Sequence, residues 1–183
     1  MAGLIIFYLD PENHYMKAIL ETERLLLREF TLGDTAFIIE LLNSPGWIKY
    51  IGDRNVKTEE QAVAYLHNGP IKSYQQHGFG LSMVEKSDDH TPVGMCGIIK
   101  RDTLDNPDIG FAFLPEYNGK GYAFEMATAT LAYAKQSLGL QMISAITLAE
   151  NSRSIRLLEK IGLKFSQTVV FPGSEEELLL YNS

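Results

Sequence analysis

Three strand-length apolar runs succeed one another with only short polar breaks between them. "FGLSMVEK" (79–86) and "TPVGMCGIIK" (91–100) are joined by "SDDH", and "DIGFAFL" (108–114) comes next. Strands so closely connected pair as antiparallel hairpins, because a parallel return needs a long crossover. Other element types surround this block. "ETERLLLREF" (21–30) reads as a strand, with Leu25 and Leu27 on one face and Leu26 and Arg28 on the other. Two helical runs separate it from the block. After it come a long helical run within 115–140, a strand over 142–148, a short helix over 151–162, and two strands, "KFSQTVVF" and "EELLLYN". This order predicts an α/β (α+β) fold: a mixed, mostly antiparallel central sheet of about seven strands with helices on both faces.

Helix boundaries are readable in places. Thr31-x-x-Asp34 and Thr58-x-x-Gln61 are helix-start patterns, the second a capping box. Pro70 should kink or divide the second helix. "NSPGW" (43–47) reads as a breaker. Residues 1–15, "MAGLIIFYLDPENHY", differ in character from the rest of the chain and read as an N-terminal extension, either an alternative start or a terminal strand for pairing with a partner. Residues 16–183 read as one domain, in keeping with the 183-residue length.

Bulk properties exclude several functions. No segment reaches the roughly 18 apolar residues of a membrane span. "GLIIFYL" (3–9) lacks the flank and cleavage site of a secretory signal. A net charge of −7 without a basic run argues against nucleic-acid binding. The single cysteine, Cys96, cannot form an internal disulfide, which fits a cytoplasmic protein. The four histidines show no metal-ligand spacing, with each other or with Cys96, and no serine sits in a G-x-S-x-G elbow. A mildly acidic surface would attract cationic partners such as amines.

Two stretches carry chemistry. Gly119-Lys120-Gly121 stands at the start of the long helix. The first N–H groups of a helix lack internal partners, the helix dipole adds positive potential there, and glycines let an anion approach the backbone. An ordinary glycine turn is the competing reading. The spacing is neither that of a P-loop nor of a dinucleotide fingerprint. The second stretch is "NSRSIRLLEKIGLKF" (151–165). Asn151 and Ser154 suit helix capping or ligand contact. Arg153, Arg156 and Lys160, with Lys120, supply positive charge in an acidic chain.

With "YNGKGYA" after a strand and "N-x-x-S-x-x-x-x-EK-x-G" one strand later, the chain resembles the GCN5-related N-acetyltransferases (GNAT). "ETERLLLREF" and "EYNGKGYA" narrow the resemblance to the branch that includes the ribosomal-protein N-terminal acetyltransferases. It spans about Ile19 to the C-terminus. The resemblance implies a GNAT fold whose strands 108–114 and 142–148 splay apart to receive acetyl-CoA. It implies backbone pairing of the pantetheine arm near Phe111 and Phe113. It implies pyrophosphate contacts from Asn118, Gly119, Lys120, Gly121, Tyr122 and Ala123, an Asn151 contact to the pantetheine, and Ser154 near the thioester sulfur. The chain departs from the family at three positions: Asn118, where Gln or Arg is common; Phe124, where Thr is common; and Leu158, where many relatives carry a Tyr acid.

The implied reaction is attack of a neutral amine on the thioester, with acetyl-CoA as co-substrate and no metal. A free alkylammonium is mostly protonated at neutral pH, so a base is required. Asp108, Glu116 and Glu150 are candidates, with Asp108 first; a strand-end turn with Asn106 and Pro107 is its competing role. An acceptor pocket is expected in "SPGWIKYIGDRN", with Trp47, Tyr50 and Asp53 suited to an ammonium. Trp47 and Tyr50 packing into the core is the other reading of that segment. The expected acceptor is a primary amine of a small molecule or a protein N-terminus, and the expected state is monomer or homodimer, with neither nucleic acid nor membrane as partner. The alternative function is a non-catalytic acyl-CoA-binding regulatory module.

Overall fold

The computed structural model describes residues 7–9 and 15–183, with side chains from Ala18 onward. Among the described residues, nine strands form one sheet: β1 (Phe7–Leu9), β2 (Tyr15–Glu21), β3 (Leu25–Arg28), β4 (Leu81–Lys86), β5 (Pro92–Ile99), β6 (Asp108–Phe113), β7 (Ser144–Leu148), β8 (Lys164–Val170) and β9 (Glu177–Asn182). Their order is β1-β2-β3-β4-β5-β6-β7-β9-β8. Every neighbouring pair is antiparallel except β6 and β7. This is the mixed, mostly antiparallel sheet expected, with two more strands. The expected strand over 21–30 is broken at a turn, where Thr22 N donates to Leu25 O at 2.8 Å and Leu25 N donates to Thr22 Oγ1 at 3.1 Å. Tyr15, expected in the extension, begins β2, and Phe7–Leu9 pair with β2 of the same chain. The rest of that expected extension, 1–6 and 10–14, lies outside the described residues.

The helices are α1 (Thr35–Leu42), α2 (Pro45–Tyr50), α3 (Glu59–Leu66), α4 (Lys72–His77), α5 (Tyr122–Gln136) and α6 (Ser152–Lys160). The expected breaker at 43–47 contains the start of α2, because Pro45 occupies the first helical turn, where its missing N–H is harmless. Both capping patterns form, Thr31 with Asp34 and Thr58 with Gln61. Pro70 divides the second helical run as expected. It lies buried in a π-turn, His67–Ile71, between α3 and α4, where the wider turn takes up its missing donor and its ring.

Strand alternation sends side chains into two cores, one on each face. Leu25 and Leu27 of β3 and Ile109 of β6 join Met126, Ala127 and Leu131 of α5 and Leu158 of α6. On the other face Met83 and Met95 join Phe37, Ile38 and Leu41 of α1, Trp47 of α2 and Leu66 of α3. Helices therefore cover both faces. On β6 the odd positions 109, 111 and 113 face the α5 layer, whereas Ala112 faces the α1–α3 layer.

Candidate active site

β6 and β7 run parallel but pair only at Asp108 and Ser144, with Ser144 N donating to Pro107 O at 2.9 Å. Beyond that point they separate. Phe111 and Phe113 are paired on one side, with Cys96 and Gly94 of β5. Their other edge faces the wedge with no strand ladder. Exposed ladder groups of this kind accept an extended ligand as an added strand.

The head of α5 stands at the open end of the wedge. Gly119 and Gly121 both have positive φ, +76° and +85°, which L-residues with side chains rarely adopt. Gly121 O accepts from Glu125 N at 3.0 Å, so the N–H groups of Tyr122, Ala123 and Phe124 have no partner in the helix ladder. The N–H groups of Gly119, Lys120 and Gly121 donate to no group among the described residues. A Cβ at Gly119 would meet nothing within 4 Å, so the turn is open as well as donor-rich. Asn118 is extended and exposed before it. The Lys120 ammonium lies 5.1 Å from the Tyr117 ring centroid, and that of Lys160 lies 4.1 Å from the Phe124 centroid. One lysine from each chemistry-bearing stretch thus stands at this helix end. Arg153 and Arg156 are solvent-exposed.

A further residue, Arg24, belongs to this site, and nothing in the sequence pattern assigns it a role. Its Nη1 donates to Lys120 O at 3.1 Å, its Nε donates to Glu125 Oε2 at 2.7 Å, and its guanidinium lies 4.8 Å from the Tyr122 centroid. Thr22 Oγ1 and Arg24 N donate to Glu125 Oε1 at 2.7 and 3.0 Å. The β2–β3 turn therefore clasps the first turn of α5. Burial pushes the Glu125 carboxyl up, but the Thr22 and Arg24 bonds more than offset this and hold it below its ordinary value. The only signal in the sequence is weak: a Thr and an Arg within a strand pattern, 101 residues or more from their partner.

Asn151 caps α6, its Oδ1 accepting from Ser154 N at 3.2 Å. The capping role is therefore present, and the Asn151 side-chain amide keeps its donors. Ser154 is half-buried in the first turn of α6. Leu158 is fully buried in the α5-side core, so no acid stands at that position.

Asp108 sits where the wedge closes, 1% exposed, and accepts from Arg101 Nε at 2.8 Å. Burial raises its pKa, partly countered by Arg101. The expected acceptor residues do not converge. Trp47 is buried in the α1–α3 core, and its Nε1 has no partner among the described residues. The Tyr50 ring is covered by Lys49, with Nζ 4.8 Å from the centroid. Asp53 accepts from Asn55 N at 2.7 Å and pairs with Lys57 at 3.4 Å.

A cavity of about 320 Å³ opens elsewhere on that face, among the π-turn, α4 and the ends of β4 and β5. Tyr65, Lys72, His77, Leu81, Ile99 and Lys100 are among its walls. Burial raises the Tyr65 phenol, and Arg54 and Arg101 pull it back down. Cys96 is no rival centre: it is fully buried, and burial pushes its thiol up to about 12. Among the described residues no cluster of His, Cys, Asp or Glu could hold a metal ion, and no helix is long and apolar enough to cross a membrane.

Residues 24–164 match the family model described as an acetyltransferase (GNAT) domain. The chain is 32% identical over 143 residues to the uncharacterized N-acetyltransferase YnaD of Bacillus subtilis (strain 168), covering 78% of this chain and 81% of that protein. Among solved structures, a GNAT-family acetyltransferase from Bacillus anthracis superposes with a TM-score of 0.75 at 29% identity, over 90% of this chain and 96% of that one. The RimL ribosomal-protein alpha-N-protein acetyltransferase in complex with coenzyme A shares the fold, with a TM-score of 0.75 at 13% identity over 91% and 97% of the two chains.

Proposed function

The chain belongs to the GNAT acetyltransferase family, and from that premise we propose that it transfers the acetyl group of acetyl-CoA to a primary amine by direct attack. The observation that carries this reading is the juxtaposition of a single-paired, splayed β6–β7 wedge with a donor-rich, doubly left-handed turn at the head of α5. These residues fit coenzyme A. The amides from Gly119 to Ala123 would hold its pyrophosphate, and the free edge of β6 at Phe111 and Phe113 would take its pantetheine arm, with the Asn151 amide as a further donor. Bound acetyl-CoA supplies an acetyl group activated as a thioester.

The chain's own residues then manage protons and charge. Asp108 takes the amine proton, and its raised carboxyl makes it a better base near neutrality than an ordinary aspartate. Arg101 fixes the orientation of that carboxylate. A backbone N–H on β6 stabilises the charge that develops on the carbonyl oxygen. Ser154, in the first turn of α6, would lie near the departing sulfur, with solvent completing the proton transfer.

The test is thiol release from acetyl-CoA against a panel of amines, with an amine-free control. Amine-dependent release that falls at least a hundredfold in Asp108→Asn is the expected result. Acetyl-CoA binding without release for any amine would instead favour a non-catalytic CoA-binding module. Unchanged turnover in Asp108→Asn would remove that residue from the mechanism and leave the reaction standing.

A further inference from the structure

The cavity beside α4 lies outside the acetyl-transfer site described above. Leu81 of β4, Ile99 of β5 and Pro70 of the π-turn give it an apolar wall. A Cβ built on Gly110 of β6 would stand 2.9 Å from Ile99 Cδ1 and 3.3 Å from Leu81 Cδ2. These two side chains therefore separate the cavity from β6, and a molecule held there cannot touch the reacting atoms. The same two side chains rest on the bare backbone of Gly110, and Ile99 lies in register with Asp108. The cavity is thus closed off from the wedge and yet mechanically joined to the strand that borders it.

The polar walls carry one sign of charge. Lys72 and Lys100 line the cavity, and no carboxylate is among the described lining residues. Lys72 makes no ion pair among the described residues. The Lys100 ammonium approaches the Leu104 and Asp105 carbonyl oxygens, each at 3.4 Å, so its charge is held in place without being neutralised by them. Tyr65, also in the wall, is half-buried, and its hydroxyl has no hydrogen-bond partner among the described residues. Positive charge from Arg54 and Arg101 reaches that phenol. A partly desolvated donor of this kind gains from an acceptor on a ligand. In a chain of net charge −7, a concave site with basic walls is a local reversal of sign. Two lysines and a phenol donor beside an apolar wall match a molecule with an anionic head and a compact apolar body. The volume of about 320 Å³, near the lower end of the roughly 300–1,000 Å³ of ligand sites, fits a small one.

We propose that this cavity is an effector site, separate from the wedge, for a small organic anion: a carboxylate or a phosphate monoester. Lys72, Lys100 and the Tyr65 hydroxyl hold the anionic head, and Leu81 and Ile99 take the apolar body. Filling the cavity presses Leu81 and Ile99 onto Gly110 and holds β6 in place. Acetyl-CoA pairing along the free edge of β6 favours the same fixed strand, so each ligand strengthens binding of the other. The coupling is reciprocal: the anion raises the affinity for acetyl-CoA by the factor by which acetyl-CoA raises that for the anion. This coupling rests on the acetyltransferase reading above, whereas the anion site stands on its own walls.

The experiment is calorimetry on the full chain, first without acetyl-CoA, comparing isovalerate and isobutyl phosphate with the uncharged isovaleramide. An anion should bind, the tighter of the two identifying the head group, and the amide should bind about tenfold more weakly or worse. Lys72→Ala and Lys100→Ala should each weaken anion binding about tenfold. Both lysines are exposed, so these variants should keep the wild-type melting temperature and, without the anion, the wild-type affinity for acetyl-CoA. Saturating anion should raise acetyl-CoA affinity about fivefold. Ile99→Val removes the Cδ1 atom that rests on Gly110, and should keep anion binding while cutting this coupling. Absence of anion binding, equal binding of the amide, or indifference to both lysines overturns the anion site. An anion that competes with acetyl-CoA sits on the α5 cradle instead and overturns it too. Anion binding that leaves acetyl-CoA affinity unchanged overturns the effector role. Failure of acetyl-CoA to bind under any condition defeats the acetyltransferase reading and the coupling with it, while the anion titration decides the site by itself.

Discussion

Arg24 and Arg28 stand four residues apart in one short segment and serve opposite sides of the sheet. Arg28 is 5% exposed, and its guanidinium spans Glu85 of β4, with Nε to Oε1 at 2.7 Å, and Asp34 at the start of α1, at 2.8 and 2.9 Å. It ties the sheet to the helix layer of α1–α3. The Arg24 side chain is 45% exposed and ties the β2–β3 turn to the head of α5 on the cofactor side. The same residue type does different work because its surroundings differ. A buried guanidinium without its partners, or partners without it, leaves charge in a low-dielectric interior. An exposed one can be lost with little effect on folding, yet it sets the shape and charge of a ligand site.

The largest expected effect comes from that contrast. Arg28→Ala should lower stability by about 3–5 kcal/mol, because Glu85 is left buried, and Asp34 half-buried, without their cation. Chemical denaturation checks it. A loss below about 1 kcal/mol, the range of an exposed pair, would mean that the two arginines are equivalent and would end the comparison.

Gly121→Val acts on the cofactor side through the backbone. A side chain at φ +85° costs about 1–2 kcal/mol, and its Cβ would come within 3.3 Å of Arg24 Nη2. Relaxing the turn would turn the amides away, so coenzyme A affinity should fall roughly 5–30-fold by calorimetry. Anion binding beside α4, measured without acetyl-CoA, should not move, which separates the two sides.

Arg24→Ala should affect stability by less than about 1 kcal/mol. Coenzyme A affinity should nevertheless fall about tenfold, since the Glu125 carboxylate then faces the bound phosphates uncompensated. Adding Glu125→Gln to Arg24→Ala should recover much of that loss. Failure to recover would assign Arg24 to holding the Lys120 carbonyl alone.

The two sides also differ in how far the sequence exposes them. The cradle is written in consecutive residues, because positive φ selects glycine and a helix start supplies donors wherever it occurs. The place of Asp108 is equally local, as the first residue of a strand. The Thr22–Arg24–Glu125 clasp joins segments about a hundred residues apart, and no local pattern marks it. The cavity beside α4 is harder still to read, since it needs the π-turn at Pro70 and the ends of β4 and β5 brought together. Trp47 is a residue for which the sequence leaves two readings open, a ligand face and core packing. An aromatic beside Gly and Pro suggests a binding loop, but α2 turns the ring into the core, where burying apolar area outweighs display to a ligand.

The smallest expected effect is in the pH dependence, and it has opposite sign on the two sides. Glu125 lies below its ordinary value of 4.5, so the stability it contributes is present above that value and is lost as pH falls through its folded value. Asp108 lies above its ordinary value of 3.8, so its contribution is fully present below 3.8 and is lost as pH rises through its folded value. The melting-temperature difference between the wild type and Glu125→Gln should therefore shrink as pH is lowered below about 4.5. The difference between the wild type and Asp108→Asn should shift in favour of the variant as pH is raised above about 4. Thermal melts of the three proteins across this range check both slopes. Slopes of the same sign would mean that the Arg101 pair outweighs burial at Asp108. That carboxylate would then be an ordinary surface-like ion pair, and its case as a base would weaken, while the Glu125 clasp would be untouched.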